Sequence, residues 1–140
     1  VHINVTSYNR NVLLTGEAPN ETVRSELDRI VASVENVRGV INEVAIGPNS
    51  ALTARGNDTL ITSNVKARFV DSGSFAAHNV KVVTEANVVF LLGVVTRSEA
   101  DAAAEVARTS KGVSKVVRVF EYISEEEARR LDNPVGARKQ

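Results

Sequence analysis

NVKVVTEANVVFLLGVVTRSEADAAAEVARTSKGVSKVVRVFEYI, residues 79–123, decides the fold, because an earlier stretch of the chain runs through the same pattern. That stretch is HINVTSYNRNVLLTGEAPNETVRSELDRIVASVENVRGVINEVAI, residues 2–46. At an offset of 77, Ile3 meets Val80, Val5 meets Val82, Val12 meets Val89, Leu14 meets Leu91 and Gly16 meets Gly93. An offset of 76 brings Val37, Val40 and Ile41 onto Val113, Val116 and Val117. Few of these pairs are identities. What recurs is an order of elements: strand, short turn, strand ending in Gly, helix, Val-rich strand.

Each copy has its own physical signals. Ile3, Val5 and Ser7 alternate with polar residues, as a half-buried strand does. Asn9-Arg10-Asn11 predicts a turn, since Asn tolerates the left-handed backbone of tight hairpins. Pro19-Asn20 opens a helix in which Val23, Leu27, Ile30, Val31 and Val34 recur at helical spacing. Val40 to Ile46 closes the first copy as a strand. In the second copy Thr96 and Glu99 form a capping box. Ala100, Ala103, Ala104 and Ala107 give a small-residue face that can lie close to a sheet, and Gly112 is expected to cap that helix. Gly16 and Gly93 end their second strands and suggest a close backbone approach or a bulge.

Between the copies, GPNSALTARGN (47–57) predicts a linker, and DTLITSNVKARFV (58–70) a helix capped by Asp58. The expected fold is α+β: two small modules, each a three-stranded mixed sheet with helices on one face. The domains expected are 1–46, the linker 47–57, 58–123, and a tail 124–140. The first module has no opening helix to match 58–70. A three-stranded sheet under one helix leaves apolar surface open, so a preceding helix is expected outside the sequence that starts at Val1. Modules of about 60 residues bury limited core, which makes packing between them an expected source of stability. In the tail, Ser124 and Glu127 suggest a second capping box, with Pro134 and Gly136 ending a short helix and the rest disordered.

Composition bounds the function. The chain has 140 residues, 17 basic and 17 acidic, and no Cys, Met or Trp. Without cysteine there is no disulfide, thiolate nucleophile or Cys-based metal site. Neutral charge argues against binding nucleic acid by phosphate neutralisation. The longest apolar run, Val88 to Val95, falls far short of the ~20 residues that span a bilayer. Val1 begins directly in strand-like sequence, and no stretch has the character of a signal peptide.

The two-copy pattern resembles the BON domain family. The stretches that carry the likeness are INVTSYNRNVLLTGEAPNE (3–21), NDTLITSNVKARFV (57–70) and NVKVVTEANVVFLLGVVTRSEA (79–100). A lone V-x-L-x-G is a weak signature; two copies in order, with the intervening helix, are a strong one. Within the family the likeness is to outer-membrane lipoproteins with two such domains. It implies a periplasm-facing protein, lipid-anchored to the outer membrane through a cysteine absent from this chain. It also implies a role in envelope integrity and osmotic stress, and contact with anionic, phosphatidylglycerol-like phospholipid through the second module's opening helix. The chain departs from that pattern in lacking the lipobox cysteine and the first opening helix, and in its charged tail.

The opening helix can be inspected on its own residues. At about 100° per residue, Ile61, Val65 and Phe69 share a stripe that should face the sheet. Leu60, Ser63, Asn64, Ala67 and Val70 cluster on the far side. Lys66 and Arg68 lie on opposite flanks, where long stems can reach lipid phosphates. Apolar tips between cations suit an interfacial helix. The bland alternative has Leu60 and Val70 packed on the linker or the first module. Residues 1–46 carry a net charge of −2 and residues 47–123 one of +2, a bias in the same direction. Phe75 is expected to plug the end of the core, with an interfacial contact as the alternative.

Nothing else in the chain suggests chemistry. His2 and His78 each precede a first strand, without a partner at ligand spacing, so no metal is expected. Glu125-Glu126-Glu127 suits the positive end of a helix dipole. There is no nucleophile elbow, no phosphate loop and no GXXG loop for RNA. The expectation is a non-enzyme that needs no cofactor and binds anionic phospholipid through Leu60, Ser63, Asn64, Lys66, Ala67, Arg68 and Val70. The alternative is a protein-interaction or chaperone-like module that turns the same face to envelope proteins.

Overall fold

The computed structural model describes residues 2–47, 52–73 and 75–132. The first module runs β1 (His2–Tyr8), β2 (Asn11–Ala18), α1 (Glu21–Ala32), β3 (Gly39–Asn42) and β4 (Ala45–Ile46). The second runs α2 (Leu52–Ser72), a 3-10 turn (Ala77–Asn79), β5 (Lys81–Glu85), β6 (Val88–Val95), α3 (Arg97–Arg108) and β7 (Lys115–Tyr122), and α4 (Glu125–Asp132) follows. In each module an antiparallel hairpin is extended by a parallel strand that returns through a helix: β1–β2–β3 in one, β5–β6–β7 in the other. The α+β class and the repeat are as the sequence predicts.

Local chemistry sets these elements. The hairpin turns place Asn9 and Arg10, and Ala86 and Asn87, at positive φ, the geometry that matches strand twist across a two-residue loop. Asn20 caps α1 by accepting from the Val23 N–H at 2.9 Å. Thr96 and Glu99 form the reciprocal capping box on α3, and Ala100, Ala103, Ala104 and Ala107 are buried against the sheet. Gly16 and Gly93 are tight approaches: a Cβ there would lie 1.9 Å from the His2 carbonyl oxygen and 2.3 Å from that of Asn79. Both also have positive φ, so the positions exclude side chains twice over.

Several boundaries differ from the sequence reading. The helix read from Asp58 begins at Leu52, so residues 52–57 are helical and not linker. Asp58 is not its cap. It is buried inside α2 and accepts from the Ala86 and Asn87 N–H groups at 2.9 and 3.1 Å, pinning the β5–β6 turn. α3 ends at Arg108 with Thr109 as its C-cap; Gly112, four residues past the helix, turns the chain toward β7 under Ile61. The strand expected at 40–46 is broken at Glu43 and Val44. Arg24 bridges the break, donating to the Asn42 and Val44 carbonyls at 2.9 Å each. Val34 lies beyond the end of α1, and it and Ile30 are exposed. Ser124 caps α4 by accepting from the Glu127 N–H at 3.0 Å. Pro134, Gly136 and the expected disordered end lie outside the described residues.

The sheets use both faces. On one face Val12 and Leu14 meet α1, while Val82, Val89 and Leu91 meet α2 and α3. On the other, Leu13 packs against Phe90 and Leu92 with Tyr8, Ile41, Val83, Val117 and Val119 around them. The modules are therefore joined sheet to sheet, with helices on the two outer sides. Consecutive apolar residues at 12–14 and 88–92 are the sequence mark of strands covered twice.

Candidate functional site

α2 is fixed from three directions. Ile61, Val65 and Phe69 are buried against the sheet, and Phe69 meets Phe75 edge-on with ring centroids 4.9 Å apart. Phe75 thus joins the core, as its sequence position suggests. Asp58 ties the N-terminal half to the hairpin turn, and Thr62 shares a 2.7 Å hydrogen bond with Thr84. On the flank toward α3, Arg68 Nη1 donates to the Val106 carbonyl at 2.9 Å, to Ser110 Oγ at 2.8 Å and to Thr109 Oγ1 at 3.2 Å. A cation at the C-terminal end of α3 also complements that helix's dipole.

A helix held this way presents a defined outer face. Leu60 is 65% exposed and Val70 71% exposed, with Ser63, Asn64 and Ala67 exposed between them. The packing that would have sealed Leu60 and Val70 beneath the first module is not there. Lys66 and Arg68 flank the face on opposite sides, as their spacing requires. Their situations differ. Arg68 is held by α3, whereas Lys66 has no ion pair among the described residues. Asp71, also exposed, adds one negative charge at the C-terminal end of α2. No helix among the described residues is long and apolar enough to cross a membrane.

The Lys66 flank of α2 looks toward the first module, and two clefts open there. One, about 430 Å³, is polar and lined by His2, Asn4, Asp58, Thr62, Lys66 and Glu85 among others. Glu85 is nine-tenths buried. Asn4 Nδ2 donates to it, Thr15 Oγ1 lies 3.5 Å away, and His2 Nε2 is 3.6 Å from its other oxygen. Burial pushes the Glu85 carboxyl above the usual carboxylate range; His2 opposes that shift, and Asp58 and Glu17 add to it. Among the described residues no three His, Asp or Glu side chains come together to hold a metal. His2 and His78 line different clefts and make no pair. The second cleft, beside Val70, brings Tyr8, His78 and Lys81 to α2. Sequence reasoning singled out none of these for α2's surroundings, because the residues come from two modules that only the sheet-to-sheet packing juxtaposes.

The model of the BON domain matches residues 1–48 and 57–124, both modules and little else. The chain belongs to the BON domain family. Among BON relatives, the outer membrane lipoprotein DolP of Haemophilus influenzae is 40% identical over 121 residues, 86% of this chain and 63% of that protein. A 21 kDa hemolysin of Actinobacillus pleuropneumoniae is 38% identical over 121 residues, 86% of this chain and 62% of its own length. The chain thus spans a little over three fifths of these BON relatives. Of solved structures, CdsD, a structural protein of the type III secretion system of Chlamydia trachomatis, superposes loosely, with a TM-score of 0.41 and 16% identity. That match covers 94% of this chain and 90% of CdsD.

Proposed function

We propose that this BON protein is a non-enzymatic component of the bacterial envelope that binds anionic phospholipid through the outer face of α2. It would face the periplasm from the outer membrane, anchored through a cysteine outside these 140 residues, and support outer-membrane integrity. The observation that carries the reading is the pair Leu60 and Val70, two large apolar side chains turned outward on a helix whose opposite face is locked into the core. Each can enter the headgroup region without disturbing the fold, while Lys66 and Arg68 meet phosphates. The similarity to a lipoprotein of the outer membrane supports the location.

Flotation with phosphatidylglycerol vesicles tests it. The wild-type chain should float with them and remain behind with phosphatidylcholine vesicles. Leu60→Glu should stay in the dense fraction with an unchanged circular dichroism spectrum. Flotation of Leu60→Glu at the wild-type level would remove the site. A photo-crosslinker at position 60 in intact envelopes should label lipid; adducts dominated by polypeptide would instead assign this face to an envelope protein.

A further inference from the structure

The groove beside Val70, about 600 Å³, has a lining that differs in kind from the polar cleft. Phe69, Ala77 and Val80 make an apolar floor, and Tyr8 of the first module closes one side. The polar ends around it are Lys66, Lys81 and the His78 imidazole, with no carboxylate among the lining residues. Among the described residues Lys81 Nζ makes only a long contact, 3.5 Å, to the Ser7 carbonyl. Lys66 has no ion pair among the described residues. Tyr8 is positioned by its hydroxyl, which donates to the Asn79 carbonyl at 3.4 Å.

An apolar trough with two ammonium groups at its rim selects an amphiphile whose polar end is an anion. A neutral apolar ligand would leave the lysines unmatched. The groove also shares Val70 and Lys66 with the outer face of α2, so it opens where a bilayer would lie. We propose that this groove, at the junction of the two modules, holds a single anionic phospholipid. Its phosphate sits between Lys66 and Lys81, and the first acyl carbons lie on Phe69, Ala77 and Val80. The inference rests on the membrane-binding reading and deepens it. The helix face supplies general adhesion, and the groove supplies headgroup selection through Lys81 and Tyr8, neither of which is on α2.

Monomeric lysophosphatidylglycerol, titrated below its critical micelle concentration and followed by amide chemical shifts, separates the two. Saturable shifts are expected at Tyr8 and across residues 77–81, about tenfold weaker with lysophosphatidylcholine. Lys81→Glu should weaken lysophosphatidylglycerol binding at least about tenfold, since it turns an attraction into a repulsion. Leu60→Glu, outside the groove, should bind the monomer normally while failing to float with vesicles. Equal response of wild type and Lys81→Glu, or shifts confined to α2, would overturn the groove and leave the helix face standing. Failure of the wild type to float with vesicles would instead overturn the membrane reading itself.

Discussion

Val5 and Val82 hold the same place in the repeat, on the helix-facing side of the first strand of each module. Yet 64% of one is exposed against 5% of the other. The strands pair alike and the residue is the same, so the difference lies outside the sheet. In the second module α2 lies across β5 and buries Val82 beneath Ile61, Val65 and Phe69. Among the described residues no helix does this for β1. α1, left to cover its sheet alone, has no fully buried residue. A strand's alternation tells which face is apolar; what covers that face is decided by another element.

Five substitutions probe that contrast. The largest effect is expected from Phe69→Ala, which empties the anchor of α2 and should cost about 3–5 kcal/mol in urea unfolding. A loss below about 1 kcal/mol would mean that α2 does not hold the second core together. Gly93→Ala comes next, at about 2–4 kcal/mol, because its Cβ would meet the Asn79 backbone under a packed helix. Gly16→Ala meets the His2 carbonyl even more closely, but β1 is free to shift on its uncovered side, so its cost should be the smaller of the two. The reverse order would show that both first strands are held equally. Val82→Ala should cost about 2 kcal/mol and Val5→Ala no more than about 0.5 kcal/mol, measured by the same unfolding curves. Equal costs would erase the contrast.

A smaller effect than that of Val82→Ala is expected at Glu85, where the modules touch through polar groups. Its raised pKa means that the folded chain holds the proton more tightly than the unfolded one. The group's contribution is therefore fully present below the ordinary carboxylate pKa and is lost as pH rises through the raised value. Glu85→Gln keeps an acceptor for Asn4 and removes the buried charge. It should flatten the thermal stability profile above that ordinary pKa and raise stability at neutral pH by about 1 kcal/mol or less. Unchanged pH dependence in the variant would place the titration elsewhere.

Much of this was legible in the residues. The repeat gave both hairpins and both crossover helices. The stripe Ile61, Val65 and Phe69 identified the buried side of α2, and by subtraction its exposed one. The start of α2 was not legible, because Gly56 and Asn57 are poor helix formers and resemble a connection. Packing and the hold of Asp58 on the β5–β6 turn override that preference. Asp58 before an apolar run has the look of a cap, and only the neighbouring strands show that its carboxylate serves a different turn. Spacing placed Arg68 on a flank but gave no hint of α3 beside it. The groove was invisible for the same reason: Tyr8 and Lys81 are 73 positions apart in the chain.

Joining the sheets by their bare faces has a geometric consequence. α1 and α2 end up on opposite outer layers, roughly 30 Å from axis to axis if each layer contributes about 10 Å. On the α1 side, Ile30 and Val34 are left exposed. The paired sheets thus act as a rigid spacer that keeps the two helix layers a fixed distance apart.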